Sequence, residues 1–186
     1  MSKRTWIPAF ALTSMVAAMF ALQEISPSRA ADEPVGPIYA QLSSPVSQDP
    51  KGGPLLVEMS SNDALGGIDH NDKAKTTDVV IKTAGVYLCV AAIQVGKESG
   101  EAGDYLDVWI KQNGKDVDNS GCRQVIHDPK YTTVLVCQGI AECKAGDVFQ
   151  VAIAASAAGK GIGIKAIKPA GEPVIPSIIF SMFKIN

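Results

Sequence analysis

The segment TAGVYLCVAAIQV (residues 83–95) is an apolar run that begins at a glycine turn and ends before a polar glycine-lysine-glutamate sequence. It contains tyrosine and several β-branched residues but no proline, and it has the length of one long strand, so it predicts a central β-strand rather than a helix. Alternation along the strand would separate Tyr87, Cys89, Ala91 and Ile93 from Val86, Leu88, Val90 and Ala92. Both faces are largely apolar. We therefore expect one face to meet a sandwich core and the other to be covered, most simply by another subunit.

The composition is that of one domain with enough apolar residues for a core. The chain has 186 residues, with 17 basic and 19 acidic side chains, four cysteines and two histidines. Because the charge is near neutral and no basic stripe is present, the sequence argues against nucleic-acid binding. No internal repeat or heptad pattern occurs, which excludes solenoids and coiled coils.

The N-terminus has the organisation of an export signal. Lys3 and Arg4 precede an apolar stretch at residues 5–22, and the small residues Ser28 and Ala30 suit cleavage after Ala30. Residues 1–30 are therefore predicted to be a signal peptide, and the product a secreted, periplasmic or extracellular protein that is not held in a membrane after cleavage. The apolar stretch is also long enough to serve as an uncleaved anchor.

Cleavage would leave an acidic mature chain. Residues 31–186 contain 14 basic and 18 acidic side chains. Residues 31–36 contain Asp, Glu and Pro and are predicted to be a flexible lead-in to a domain at residues 37–186.

Short alternating segments separated by turn residues predict an all-β domain. The predicted strands are residues 38–42, 55–60, 77–82, 86–95, 105–111, 122–126, 132–143, 148–154 and 177–185, with a further short strand around residues 162–167. Residues 45–54 and 62–75 are predicted loops, and Asn113-Gly114 predicts a tight hairpin. About nine or ten strands without a helix indicate a two-sheet antiparallel jelly-roll sandwich.

Three motifs occur in an order that resembles a known family. PIYAQLS (residues 37–43) looks like an opening strand, TAGVYL (residues 83–88) like a glycine turn into a long inner strand, and CKAGDVF (residues 143–149) like a late hairpin. Together with a closing strand at residues 180–185, they resemble the globular head of the complement q-subcomponent and its relatives in the tumour necrosis factor superfamily. The chain departs from that pattern at Cys89, usually Phe, and at Cys143, usually Leu. It also lacks the glycine that usually precedes the closing aromatic residue.

The resemblance implies a compact homotrimer whose inner sheets pack around a threefold axis. It also implies that Tyr39, Tyr87, Phe180 and Phe183 divide between the core and that axis. The alternative is that all four aromatic side chains lie in the core.

The four cysteines suit an exported protein, because disulfides persist in oxidising compartments. Cys89, Cys122, Cys137 and Cys143 allow three pairings, and buried free thiols are the alternative. The resemblance places Cys89 beside the strand that holds Cys137 and Cys143, which implies a bridge from Cys89 to one of them.

The predicted loop at residues 62–75 is rich in oxygen ligands. Asp63, Asp69 and Asp72, with neighbouring asparagines, offer a calcium site, although their spacing matches no known calcium loop and an ordinary solvated loop is the alternative. No other metal or cofactor is expected. His70 lies in this loop and His127 lies in a predicted turn, and neither has a recognisable nucleophile or orienting carboxylate.

These observations predict a non-enzymatic exported module. No nucleophile elbow or phosphate loop is present; Gly159-Lys160-Gly161 is not followed by a helix. By fold analogy, we expect a homotrimer that binds a protein or glycan ligand through its loops. The alternatives are a structural envelope or extracellular-layer protein without a discrete ligand, and a small secreted hydrolase that would use His70 or His127.

Overall fold

The computed structural model describes residues 36–186, which form an all-β sandwich without helices. This confirms the predicted fold class. The predicted signal peptide at residues 1–30 and nearly all of the lead-in at residues 31–36 lie outside the described residues.

Two antiparallel sheets pack face to face. Their strands in chain order are β1 (Tyr39–Ser44), β2 (Leu55–Leu56), β3 (Ser61–Gly66), β4 (Ile68–His70), β5 (Val79–Ile81), β6 (Gly85–Gly96), β7 (Asp104–Gln112), β8 (Lys115–Asp116), β9 (Cys122–Ile126), β10 (Thr133–Cys143), β11 (Val148–Ala155), β12 (Gly163–Ile164) and β13 (Ile178–Lys184). Sheet A has the order β10-β6-β13-β1-β3, with β12 also paired to β6. Sheet B has the order β4-β5-β11-β7-β8, with β2 paired to β11 and β9 paired to β7.

Strand β6 is the spine of sheet A, as its apolar sequence predicts. It lies between β10 and β13 and pairs with both over most of its length. The inward side chains at residues 87, 89, 91 and 93 are buried, whereas those at residues 86, 88, 90 and 92 are only half-buried. The predicted alternation is therefore correct, and the second apolar face of β6 becomes the outer face of sheet A.

The core lies between the inner faces of the two sheets. Tyr87 and Phe180 contribute from sheet A, and Leu106, Ile110 and Phe149 contribute from sheet B. All five side chains are almost completely buried, and burying each one stabilises the fold by about 1.5–3 kcal/mol before the entropy of ordering is counted. Because β13 lies between β6 and β1, the end of the chain closes the centre of sheet A.

Two tight connections are set by glycine. Asn113 and Gly114 both have positive φ, 53° and 76°, and connect β7 to β8 as the predicted hairpin. Gly85 opens β6 where the chain passes the C-terminus, and a Cβ there would collide with the backbone carbonyl oxygen of Asn186. The turn before β6 therefore requires glycine.

The prediction of a loop at residues 62–75 is wrong for the first half of this range. This region contains β3 in sheet A and β4 in sheet B, joined through Gly67 with a φ of 68°. Strand β3 is an edge strand with mostly exposed side chains, so it shows no apolar alternation and is held by its backbone pairing with β1. Conversely, the predicted strand at residues 55–60 is reduced to β2, although Val57 and Met59 remain buried.

Candidate functional site

The outer face of sheet A carries an exposed apolar surface, which we call the outer patch. Its members project from β1, β6, β10 and β13 and are Tyr39, Leu88, Val90, Ala92, Val134, Val136, Ile140, Ile179 and Phe183. Strand alternation places them there, because their inward neighbours are buried in the core or, along most of β10, half-buried.

The strand register arranges the outer patch in rows across the sheet. Ile140, Leu88, Phe183 and Tyr39 are successive cross-strand partners in one row, and Val136, Ala92, Ile179 and Ser43 form another. The row between them consists of Gln138, Val90, Ser181 and Gln41. No charged residue occurs in these rows. The centre of the outer patch is therefore a contiguous, uncharged, mostly apolar surface.

The four predicted aromatic residues fall on both sides of sheet A. Tyr87 and Phe180 are buried in the core, and the Tyr87 hydroxyl donates to the Thr83 carbonyl oxygen at 2.7 Å. Phe183 is 44% exposed on the outer patch, and Tyr39 is half-buried beside it. The structure thus separates two core aromatics from two outer-patch aromatics.

The outer face of sheet B is polar and internally paired. Arg123 donates to both carboxylate oxygens of Asp107, at 2.6 and 2.8 Å, and its guanidinium lies 3.6 Å from the centroid of the Tyr105 ring. The hydrogen bonds from Arg123 to Asp107 raise the pKa of Arg123. Further along β7, the Trp109 indole N–H donates to Asp116 at 2.7 Å. The charges of this face are therefore already neutralised by neighbours.

A groove with a volume of about 560 Å³ opens on this face, and we call it the sheet B groove. Its lining includes Asp107, Trp109, Asp116, Asn119, Cys122 and Arg123. One wall is the loop at residues 117–121, which interrupts the pairing of β7 between β8 and β9. Ser120 holds this loop in place, since its hydroxyl accepts the Ile110 N–H at 3.0 Å and donates to the Val117 carbonyl oxygen at 2.8 Å.

A buried lysine ties together the loops at one end of the sandwich. The side chain of Lys97 is fully buried and donates to the carbonyl oxygens of Glu101 and Ile126, and its ammonium lies 3.6 Å from Asp104. Burial alone would raise the pKa of Asp104. The hydrogen bond from the Glu101 N–H and the ammonium groups of Lys160 and Lys97 outweigh that effect and hold the pKa below its usual range. No pattern in the sequence predicted this cluster.

The structure does not bring the predicted calcium ligands together. Asp63 lies in β3 of sheet A and accepts hydrogen bonds from Ser43 and Ser61, whereas Asp69 lies in β4 of sheet B. Asp72 lies in the turn that follows, and its pKa is lowered by the hydrogen bond from Lys73. Within residues 36–186, no three Asp, Glu, His or Cys side chains converge as metal ligands.

The two histidines differ in their surroundings. His70 is buried, with Nδ1 at 2.6 Å from the Asn62 side-chain oxygen and Nε2 at 3.2 Å from the Thr76 carbonyl oxygen. The ring therefore connects β3 with the chain that follows β4. His127 is exposed just after β9, in a short segment that leads toward β10.

All four cysteines are free thiols, and Cys89, Cys137 and Cys143 are buried, facing the interior as expected. The register sets Cys89 opposite Gly139, so Cys137 is its diagonal neighbour. Diagonal neighbours lie about 7–8 Å apart, beyond the separation that a disulfide spans without backbone movement. Cys143 lies opposite Gly85, about 13 Å further along the ladder. The bridge from Cys89 is therefore not supported by the register.

Burial makes the inward thiols poor thiolates. It raises the pKa of Cys89 to about 11 and that of Cys143 to about 12. The pKa of Cys137 is raised to about 12, first by burial and then by the adjacent Cys122 thiol. Cys122 is only half-buried and lines the sheet B groove.

Comparison of the chain with protein-family models finds no match, and comparison with curated proteins finds no significant match. Residues 36–186 also contain no helix with the length and hydrophobicity of a membrane span.

Proposed function

We propose that this protein is an exported, non-enzymatic jelly-roll module that assembles as a homotrimer through the outer patch and binds a protein or glycan ligand on its polar face. The observation that carries the proposal is the outer patch itself. Its central rows combine exposed aliphatic and aromatic side chains with uncharged polar ones. Soluble monomers rarely leave a large contiguous surface of this kind in water.

A second copy of this chain is the partner that the outer patch fits best. Interface cores are depleted in charge and enriched in aromatic residues, and homodimer-type interfaces are the most apolar class. The row of Ile140, Leu88, Phe183 and Tyr39 has that composition across four adjacent strands. The threefold order of the assembly follows from the resemblance to complement-head proteins, in which the corresponding sheets pack around an axis.

The sheet B groove is our candidate for ligand binding, because it combines an aromatic ring with hydrogen-bonding groups. Trp109 lies beside Asp116, Asn119 and Arg123 in a space of about 560 Å³, large enough for a small saccharide or a peptide segment. An indole ring offers an apolar face for stacking, and carboxylate and amide groups can accept or donate hydrogen bonds.

The surroundings of the histidines support the non-enzymatic assignment. A general base needs an accessible ring nitrogen within reach of a nucleophile or a water. Both ring nitrogens of His70 already lie within hydrogen-bond distance of oxygen atoms, on Asn62 and Thr76. His127 is exposed, and no described hydrogen bond ties it to a carboxylate that would orient it.

Solution mass tests the assembly. We expect light scattering on residues 31–186 to give the mass of a trimer. Val134→Lys places a charge on the outer patch at a residue that is 60% exposed, and we expect it to raise the dissociation constant by about 10–100-fold. Val46→Lys is the matched control, since Val46 is 59% exposed but lies in the loop after β1, and it should leave the mass unchanged. A monomeric unmodified chain would contradict the proposal.

Fluorescence tests the ligand. Trp109 is the single tryptophan of residues 31–186, so the intrinsic emission of the mature chain reports on the sheet B groove directly. A saccharide or peptide that occupies the groove should shift that emission in a saturable way, and Asn119→Ala should weaken the response. Ordered arrays that form without any ligand response would instead support a structural layer protein.

A further inference from the structure

Two thiols from opposite sheets meet at one backbone carbonyl group. Cys122 lies in β9 of sheet B, and Cys137 lies in β10 of sheet A. The Cys137 thiol donates to the Ser120 carbonyl oxygen at 2.9 Å, and Cys122 Sγ lies 3.9 Å from the same oxygen. The Cys122 thiol also lies 3.7 Å from the Val136 carbonyl oxygen, on the residue before Cys137. Both sulfur atoms therefore approach the same carbonyl oxygen across the gap between the sheets.

The loop that carries this carbonyl group is held firmly on the far side. The Ser120 hydroxyl binds the Ile110 N–H of β7, and the Val117 N–H donates to the Ile110 carbonyl oxygen at 2.9 Å. Ser120 is itself buried. Hydrogen bonds to β7 and burial therefore fix the position of the carbonyl group that both thiols approach.

We propose that Cys122 and Cys137 are an oxidisable pair that closes to a disulfide joining the two sheets. The register places Cys89 diagonal to Cys137 and far from Cys143, whereas the Cys122 and Cys137 sulfur atoms approach the same Ser120 oxygen. The proposal is independent of the trimer, because it concerns the interior edge between β9 and β10.

The reaction needs an external disulfide, such as oxidised glutathione or the disulfide of a thiol oxidoreductase. The Cys122 thiolate attacks one sulfur of that disulfide, which forms a mixed disulfide and expels the other sulfur as a thiolate. Cys137 then loses its proton, attacks Cys122 Sγ and expels the second sulfur. In total, two protein thiols and one external disulfide give one protein disulfide and two external thiols.

The different environments of the two thiols set the order of the steps. Cys122 is only half-buried, whereas Cys137 is fully buried. Entry therefore occurs at Cys122, and Cys137 resolves the mixed disulfide. Because the bond would anchor the start of β9, it would also restrain the loop at residues 117–121, which forms a wall of the groove.

Peptide mapping tests the proposal. Reduced residues 31–186 are incubated with oxidised glutathione, remaining thiols are alkylated, and the chain is denatured and digested with trypsin without reduction. Cleavage after Lys115, Arg123, Lys130 and Lys144 places Cys122 in the peptide 116–123 and Cys137 in the peptide 131–144. We expect these two peptides to be recovered as one cross-linked species. Cys89, in the peptide 83–97, should be recovered alkylated.

Cysteine variants identify which two thiols form the disulfide and which of them reacts first. Cys143→Ala is the matched control, because Cys143 shares the tryptic peptide of Cys137, and the cross-link should persist in this variant. Cys137→Ser should stop the reaction with glutathione attached to Cys122, and Cys122→Ser should abolish both the cross-link and the adduct. Recovery of all four cysteines alkylated in the oxidised unmodified chain, or a cross-link through Cys89 or Cys143, would overturn the proposal.

Discussion

On sheet A, the outward positions beside Leu88 are Ile140 and Phe183, whereas on sheet B the outward positions beside Asp107 are Arg123 and Ala154. Both faces arise in the same way. Along β6 and β7, every second side chain points outward and the side chains between them are buried in the core. Charged side chains on the face of sheet B form ion pairs with each other, so this face needs no apolar cover. The face of sheet A has no charge in its central rows, so its free energy falls when another apolar surface covers it.

This difference gives the two outer surfaces of one sandwich different chemical character, which underlies the separate roles that we propose for them. Ion pairs and a groove are compatible with a surface that stays in water and meets a soluble ligand. An exposed, uncharged apolar surface is compatible with assembly. The predictions that follow concern this division of the two faces.

The largest change in stability or assembly is expected on substituting either of two phenylalanines in β13. Phe180 is 1% exposed and Phe183 is 44% exposed, on opposite faces of the same strand. Phe180→Ala should lower the free energy of unfolding by about 3–5 kcal/mol, because it leaves a cavity in the core. Phe183→Ala should lower the stability of the isolated chain much less and should weaken association instead. Urea unfolding and sedimentation velocity of both variants measure the two effects.

The pair also provides its own control, since the deleted atoms are identical. Equal loss of stability in both variants, with no change in mass, would show that Phe183 is part of the core and not of an assembly surface.

A smaller loss of stability is expected on acidification, and we expect Asp116 and Asp147 to contribute to it. The pKa of Asp116 is lowered by its hydrogen bonds from Lys111 and Trp109, and that of Asp147 is lowered by hydrogen bonds from the Lys144 N–H and Asn113. A lowered folded-state pKa stabilises the fold above the usual value of 3.8, and that stability is lost as the pH falls through the lower folded value. Unfolding free energies measured below about pH 5 should therefore decrease toward acid.

Neutral variants identify which carboxylates cause the decrease of the unfolding free energy toward acid pH. Asp116→Asn and Asp147→Asn should each flatten the curve of unfolding free energy against pH. Gln138→Ala, in the row beside Val90 on the outer face of sheet A, should leave the shape of that curve unchanged. An unaltered slope in both aspartate variants would contradict the assignment.

The smallest effect is expected from Arg123 on the exposed face of sheet B. Arg123→Gln removes the paired hydrogen bonds to Asp107 and the contact with Tyr105. Because exposed ion pairs are screened, we expect a slight fall in the melting temperature at low salt that disappears at about 1 M NaCl. Association through the outer patch should be unaffected. A change in mass for this variant would mean that sheet B takes part in assembly.

Much of the fold could be predicted because long buried strands have strong local signals. The apolar run of β6, the alternation in β7 and the Asn113-Gly114 hairpin all lie where the sequence analysis placed them. The exposed strand β3 was missed because edge strands are held by backbone hydrogen bonds, and these leave no pattern in side-chain polarity. The resemblance to complement-head proteins stays a prediction.

The candidate sites were predicted only in part. The second apolar face of β6 indicated an outer patch, but the contributions of Ile140 and Ile179 depend on which strands flank β6. The burial of Lys97 could not be predicted from the sequence, because a single lysine after a strand is usually exposed to solvent. The sheet B groove depends on Ser120, whose hydroxyl takes the place of a strand neighbour for Ile110.

Local sequence was enough to establish an all-β chain with a two-sided apolar central strand, because alternation and turn chemistry act between neighbours a few residues apart. Only the folded chain shows which cysteines approach each other and whether the acidic residues at positions 63 to 72 lie close together. Both depend on which strands become neighbours across the sandwich. Cys122 and Cys137 meet because β9 and β10 face each other from different sheets, whereas Asp63 and Asp69 separate because Gly67 carries the chain from one sheet to the other.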